Sequence, residues 1–152
     1  MSATATLARL GLSLPPPAEP AGNYVPWRMA GNMLFLSAVG PRLPNGAEAV
    51  GKVGQALTVQ QGQDAAKLCA LALIGNMRGA LGHLDRVETI LSVNGMLNTA
   101  PNFIEHGRVM DGCTDVFVQV FGNNGRPTRS VIGTGSTQRG LAMEIDAIVL
   151  FR

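Results

Sequence analysis

The feature that most constrains the fold is a long helical repeat of apolar residues between Thr58 and Gly82. Thr58 stands at an N-cap position with Gln61 three residues later, the pattern of a capping box, and glycine commonly ends a helix. Between these limits, apolar residues recur at helical spacing: Ala66, Cys69, Leu73, Met77, Ala80 and Leu81. Alanine-rich neighbours would let this helix lie close to a sheet.

The segments on either side of this helix show the two-residue alternation that is typical of β-strands. The predicted strands are Trp27–Met29, Met33–Ser37, Val87–Leu97, Arg126–Gly133 and Ala142–Phe151. In the last strand every second residue from Met143 to Phe151 is apolar, whereas Glu144 and Asp146 begin the opposite face. One face of this strand is therefore expected to lie in the core.

A second helix is predicted to begin at Pro101-Asn102 and to carry an apolar stripe from Val109 to Phe121. The element order ββ–α–β–α–ββ indicates an α+β fold, with a single mixed β-sheet covered on one face by two helices. The other face would then need a partner. With 46% hydrophobic and only 14% charged residues, the composition also favours an oligomer.

The length of 152 residues predicts one domain. Residues 1–20 are expected to form an N-terminal arm, and residues 21–152 the domain itself. Leu7, Leu10 and Leu12 could make a short helical turn in the arm before the Pro15–Pro17 run, which would end any helix. The alternative is a partly ordered terminus.

Charge and composition exclude several classes of protein. A net charge of +2 with scattered basic residues argues against nucleic-acid binding. No apolar run reaches the length of a membrane span, and the first residues lack the pattern of a secretory signal. Cys69 and Cys113 are predicted to be buried thiols, which fits a reducing cytosol, so a cytoplasmic location is expected.

Familiar cofactor motifs are incomplete. The segment Gly46–Lys52 has the spacing of a phosphate-binding loop, but Val53 stands where a serine or threonine should bind magnesium. His83 and His106 have no cysteine or carboxylate pattern around them that would suggest a metal site. No metal or organic cofactor is therefore predicted.

The residue most in need of a chemical explanation is Arg129, which lies among small and apolar residues on a predicted strand. The planar guanidinium matches a carboxylate or a phosphate. Strands joined by a short loop often pair, an arrangement that would bring Glu144 near Arg129. The pair would be either a structural salt bridge or an anion-binding arginine beside a carboxylate that positions water.

At these residues the sequence resembles the RidA/YjgF family of reactive-intermediate imine deaminases, some of whose members are also described as L-PSP endoribonucleases. The resemblance covers nearly the whole chain after the arm and is closest to a longer branch of the family that carries such an arm. It rests on an ordered set of segments: Gly22-Asn23-Tyr24, Gly31-Asn32, Ser37-Ala38-Val39, Pro127-Thr128-Arg129-Ser130 and Glu144-Ile145-Asp146-Ala147.

The resemblance implies a homotrimer of chorismate-mutase-like subunits with clefts between the subunits. Arg129 would bind the carboxylate of a 2-imino acid, and Glu144 would position the water that hydrolyses it, without a cofactor. The residues expected to line the cleft are Tyr24, Ser37, Ala38, Ser130 and Val131.

Three departures from the family pattern keep other functions open. Ala38 and Val39 replace a Gly-Gln pair, and Val131 replaces a small or thiol residue, so the pocket is expected to be more apolar. The substrate would then carry a bulkier or more apolar side chain, or the activity would be weak or lost. The second hypothesis is a non-catalytic trimer that binds a small carboxylate and regulates a partner. An endoribonuclease ranks third, because the chain has no histidine pair and no basic stripe.

Overall fold

In a computed structural model of the protein, which describes residues 1–17 and 19–152, five strands form one mixed β-sheet. The strands are β1 (Trp27–Ala30), β2 (Met33–Val39), β3 (Val87–Asn98), β4 (Thr128–Thr134) and β5 (Met143–Phe151). The helices are α1 (Ala3–Arg9), α2 (Val59–Leu81) and α3 (His106–Phe121). The strand order is β1-β2-β5-β3-β4, and all neighbours are antiparallel except β3 and β4. The predicted α+β fold is confirmed.

The core lies between the sheet and the helices α2 and α3. Alternate residues of β5 from Met143 to Phe151 are buried, and Phe117 of α3 is fully buried with them. The intervening residues of β5 are only half-buried, because they lie on the face that none of the described helices covers. Apolar side chains on this bare face are Phe35, Met96, Ile132, Ile148 and Leu150.

Helix α2 begins and ends where its sequence predicts. The Thr58 hydroxyl accepts a hydrogen bond from the Gln61 amide at 3.1 Å, and the Gln61 side chain accepts one from the Thr58 amide at 2.9 Å. Gly82 ends the helix with a φ of 75°, a conformation that glycine adopts without a steric cost. These contacts are local, which is why the sequence alone predicts them.

Replacing Thr58 by alanine is expected to lower the free energy of unfolding by about 1 kcal/mol, because the Gln61 amide loses its partner. For a domain of this size the thermal midpoint should fall by roughly 2–4 °C. Thermal melts followed by circular dichroism would measure the shift. The control is Gln60→Ala in the same turn, which removes only an exposed hydrogen bond to Asp64. Equal midpoints for the two variants would contradict the capping role.

The predicted start of the second helix is wrong, since α3 begins at His106 and not at Pro101. The Ala100 amide donates to the Val53 carbonyl at 3.0 Å, and Thr99 forms a β-bridge with Val53. These long-range contacts hold the chain in an extended conformation past the end of β3, so that Pro101 lies in a turn.

The expected pairing of the last two strands is also wrong, because β3 lies between β4 and β5. The chain leaves β3, passes through α3 and returns as β4 parallel to β3, the usual outcome of a helical crossover. β5 pairs with the other edge of β3, and it is the antiparallel neighbour of both β2 and β3.

The N-terminal segment packs on the helices. Ser2 caps α1 by accepting a hydrogen bond from the Ala5 amide, and Leu7 is buried beside α3. The following chain runs along α2 at Gly75, where an added Cβ would lie only 2.6 Å from the Pro15 carbonyl oxygen. The expected division between an arm and a domain remains a prediction, and Ala18 within the arm lies outside the described residues.

Among the described residues, no helix combines the length and the apolar composition that a membrane crossing would need.

Candidate functional site

A cavity of about 120 Å³ lies where the N-terminal segment passes β2 and the loop before β5. Four of the residues predicted from the sequence line it: Tyr24, Ser37, Ala38 and Glu144. The pairing of β2 with β5 is irregular between Leu36 and Val39, so Ser37 and Ala38 lie in a bulge. A bulge bends a strand and redirects its side chains, which explains why the sheet opens at this point.

Ser37 holds one wall of the cavity in place. Its hydroxyl donates to the Val25 carbonyl at 2.6 Å, and its amide donates to the Pro26 carbonyl at 3.0 Å. Tyr24 precedes this segment and remains 52% exposed, with its hydroxyl oxygen accepting a hydrogen bond from the Ala21 amide at 3.3 Å. The tyrosine ring is therefore an open part of the wall, whereas the serine hydroxyl is already engaged.

The carboxylate of Glu144 is oriented by a chain of side-chain contacts. Gln138 donates from Nε2 to Glu144 Oε1 at 2.6 Å. The next residue, Arg139, donates to both carboxylate oxygens of Glu48 at 2.9 and 2.7 Å, and from Nη1 to Gln138 Oε1 at 3.3 Å. Arg139 has a φ of 54°, an unfavourable conformation for a residue with a Cβ. The bidentate contact offsets this strain and holds the Gln138–Gly140 turn against the cavity.

The ion pair between Arg139 and Glu48 stabilises the charged forms of both side chains at the edge of the cavity. Hydrogen bonds from Arg139 lower the pKa of Glu48, and the carboxylate in turn raises the pKa of Arg139. Both groups therefore stay charged together over the neutral range. Neither residue can be assigned to the site from the sequence alone, because they are 91 positions apart and no local pattern connects them.

Arg129 lies elsewhere, at the outer strand of the sheet. Its Nη1 donates to Asp111 of α3 at 2.7 Å and to Thr114 at 3.3 Å, so its side chain lies on the helix-covered face. Within the described residues, its Nε and Nη2 groups donate no hydrogen bond. The contact with Asp111 is the salt bridge expected as one alternative, but its partner is an aspartate of α3 and not Glu144.

Strand register separates Arg129 from Glu144. Arg129 is paired with Val93, and Val93 is paired with Ala147, so these three residues share one face. Glu144 is three residues from Ala147 and therefore lies on the other face. Within one protomer the two residues are on opposite faces of the sheet, on strands separated by β3, and the expectation that strand pairing brings them together is wrong.

The other two residues predicted near Arg129 are also outside the cavity. Ser130 is exposed and is paired with Asn94, a residue of the bare face. Val131 is half-buried and packs beside Gly95 of β3. The sequence-predicted site is thus divided into a cavity containing Glu144 and a strand edge containing Arg129.

Both cysteines are buried, as predicted. Burial raises the pKa of the Cys69 and Cys113 thiols, so neither is a thiolate nucleophile at neutral pH. Among the described residues, no three histidine, cysteine or carboxylate side chains come together in a group that could hold a metal ion.

A mixed five-stranded sheet with helices on one face defines this chain as an α+β protein of chorismate-mutase-like architecture. Residues 4–143 match the family described as "YjgF/chorismate mutase-like, putative endoribonuclease". The chain belongs to this family, and the resemblance read from its motifs is confirmed.

Three relatives cover almost the full length of the chain. Protein TCP17 of Trypanosoma cruzi is 40% identical over 146 residues, which are 95% of this chain and 91% of that protein. The crystal structure of Atu1372 from Agrobacterium tumefaciens, a protein of unknown function, is 33% identical with a TM-score of 0.90 and covers 99% and 94% of the two chains. A "putative endoribonuclease" from Shewanella oneidensis is 29% identical with a TM-score of 0.96 and covers 99% of this chain and 100% of that one.

Proposed function

We propose that this protein hydrolyses 2-imino acids, or their enamine tautomers, to 2-oxo acids and ammonia. The observation that carries the proposal is the carboxylate of Glu144, which lines a cavity of ligand size and is held by Gln138 at 2.6 Å. A carboxylate fixed in this way can orient a water molecule and accept its proton.

Arg129 is the residue proposed to bind the substrate carboxylate. Asp111 and Thr114 hold its Nη1, and this leaves Nε and Nη2 as the two parallel donors that a carboxylate accepts. Gly107, in the first turn of α3, lies beside the guanidinium, and the positive end of a helix dipole favours an anion there. Its side chain is 30% exposed, so a ligand could reach it.

Glu144 and Arg129 can act on one substrate only if they come from different protomers, since β3 lies between their strands. We therefore propose a homotrimer in which the bare faces of the sheets meet and each cleft combines Glu144 of one protomer with Arg129 of a neighbour. The half-exposed apolar residues of the bare face, such as Phe35 and Ile148, would be buried in this interface.

The proposed reaction needs no external reactant except water. Arg129 holds the carboxylate, and a water oriented by Glu144 adds to the C=N carbon while its proton passes to Glu144. Glu144 returns this proton to the nitrogen, which gives a neutral carbinolamine. Glu144 then transfers the hydroxyl proton to the same nitrogen while the C–N bond breaks, so that ammonia leaves and the carbon becomes the carbonyl of the 2-oxo acid. Imines hydrolyse readily in water, so positioning and a few hydrogen bonds supply the acceleration that is required.

The second candidate function is binding of a small carboxylate without turnover. It is favoured by Ala38, which lies on the cavity wall and offers no polar side chain there. Substitution of Glu144 distinguishes the two functions, because it would remove turnover and leave the carboxylate contact with Arg129 intact.

The test is a coupled assay in which an amino-acid oxidase generates 2-imino acids from a panel of amino acids and semicarbazide traps the surviving imine. Wild-type protein is expected to lower the trapped imine, and Glu144→Gln should reduce this activity by about 100-fold. The matched control is Asp146→Asn on the same strand and face, because Asp146 contacts Asn94 and does not line the cavity.

Trapped imine equal to the protein-free control across the whole panel would overturn the deaminase proposal. Binding of 2-oxo acids by such an inactive protein would support the second candidate. Full activity of Glu144→Gln would instead remove Glu144 from the mechanism.

A further inference from the structure

One buried polar side chain of α2, that of Asn76, is not explained by hydrogen bonds among the described residues. Asn76 is only 4% exposed, while the residues on either side of it, Gly75 and Met77, are also buried. Its side-chain amide forms no hydrogen bond with any described residue, although a buried amide without a partner costs about 1–3 kcal/mol. A ligand that displaces water from this amide must therefore replace its hydrogen bonds.

The amide of Asn76 opens into the cavity that contains Glu144. Asn76 lines that cavity, and among the described residues no completely inaccessible side-chain nitrogen or oxygen lacks a hydrogen-bond partner. The unpaired atoms of Asn76 must therefore be reachable, and the cavity is the space that reaches them. Asn76 of α2 and Glu144 of β5 thus line the same cavity.

Charged side chains of both signs line this cavity. Glu48 and Arg139 form a bidentate pair, Arg42 lies near enough to lower the pKa of Glu48 further, and Glu19 is exposed on the N-terminal segment. Asn76 is the polar side chain that α2 contributes to the cavity, and it is uncharged. Asn76 offers one acceptor oxygen and two donor hydrogens, which suits an uncharged group that both donates and accepts.

The volume of the cavity and its apolar lining residues suit a small side chain of a substrate. A cavity of about 120 Å³ has room for several water molecules or for a short side chain. Pro15, Pro16 and Ala72 also line the cavity, so part of its wall is apolar. A hydrogen bond made in such partly apolar surroundings is stronger than one made in water.

We propose that Asn76 determines substrate specificity, and that the cavity takes 2-imino acids whose side chain ends in an amide or a hydroxyl group. This inference rests on the proposed function, because it assumes that the substrate's reacting carbon lies at Glu144. The side chain of the substrate extends from that carbon towards α2, and its terminal group completes the hydrogen bonds of Asn76. An apolar side chain of the same shape leaves Asn76 unpaired and is disfavoured.

The experiment compares two 2-oxo acids of nearly equal shape, 2-oxosuccinamate and 4-methyl-2-oxopentanoate, which correspond to asparagine and leucine. Their dissociation constants are measured by calorimetry with wild type, Asn76→Leu and Asn76→Ala. Wild type is expected to bind the amide compound about tenfold more tightly, and both variants should lose this preference. Asn124→Leu, an exposed asparagine in the turn after α3, is the control that should keep it.

The coupled assay is then run on the imines derived from asparagine and leucine, so that failure of turnover and failure of specificity remain distinct. A binding preference that depends on Asn76 without turnover of either imine would contradict the proposed function and leave the role of Asn76 intact. Equal affinity of wild type for the two acids, or a preference that survives in both Asn76 variants, would overturn the inference. The affinities of the wild-type protein for the two acids test the inference even if a variant fails to fold.

Discussion

Co-expression of Arg129→Ala with Glu144→Gln is expected to restore activity that each variant lacks alone. In the proposed trimer each cleft takes Arg129 from one protomer and Glu144 from the next. When two variants mix at random in equal amounts, about a quarter of the clefts receive both intact residues. Deaminase activity should therefore recover from about 1% or less to about a quarter of the wild-type value.

This recovery follows from the position of the two residues in the sheet. Arg129 lies on the helix-covered face of the outermost strand, and Glu144 lies on the other face of a central strand. No rotation of their side chains within one protomer could bring the guanidinium and the carboxylate to the same ligand, because the intact backbone of β3 separates their strands. A shared cleft is the arrangement that uses both residues.

The control is co-expression of Arg129→Ala with the double variant Arg129→Ala/Glu144→Gln, a mixture in which no cleft contains Arg129. Native mass spectrometry of differently tagged chains would establish that mixed oligomers form. Absence of recovery in mixed trimers would contradict the shared cleft, and recovery with the double variant would remove Arg129 from the mechanism.

Replacing Gly112 by alanine is expected to lower the free energy of unfolding more than any other addition of one methyl group in α3. An added Cβ would overlap the carbonyl oxygen of Gln63 in α2 and would lie 2.8 Å from its carbonyl carbon. Because the opposing atoms belong to a helix backbone, no side-chain rotation relieves the contact, and α2 and α3 must move apart. We expect a loss of at least about 3 kcal/mol in the free energy of unfolding.

Urea denaturation would measure this loss, and the thermal midpoint should fall by roughly 6–12 °C. The control is Gly107→Ala in the same helix, where the nearest atom to an added Cβ is Nη2 of Arg129 at 3.4 Å. That variant should be as stable as wild type or slightly more stable, since alanine favours the helix. Equal free energies of unfolding for the two variants would contradict this prediction, because they would show that α2 and α3 can move apart without loss of stability.

The contrast between these two glycines marks a limit of sequence analysis. Both weaken the helical pattern of α3 equally when only propensity is considered, yet one lies in a close helix contact and the other does not. The same limit applies to the start of α3, where the bridge between Thr99 and Val53 overrides the helix signal at Pro101.

The sequence by itself determined the elements whose causes are local. The limits of α2 depend on contacts within three or four residues, and the buried face of β5 follows from its alternation of apolar residues. The motifs that include Tyr24, Ser37 and Glu144 were also sufficient to select residues that line one cavity. For these features the information lies in neighbouring positions of the chain.

The tertiary structure decided which residues meet. Whether β5 pairs with β4 or enters between β2 and β3 depends on the helical crossover and on burial of the whole sheet, and no local pattern records that choice. This pairing separates Arg129 from Glu144, joins Arg139 to Glu48 across 91 positions, and turns Asn76 of a long core helix towards the cavity. Periodicity specifies the face on which a side chain lies, but the free energy of long-range packing selects its neighbours.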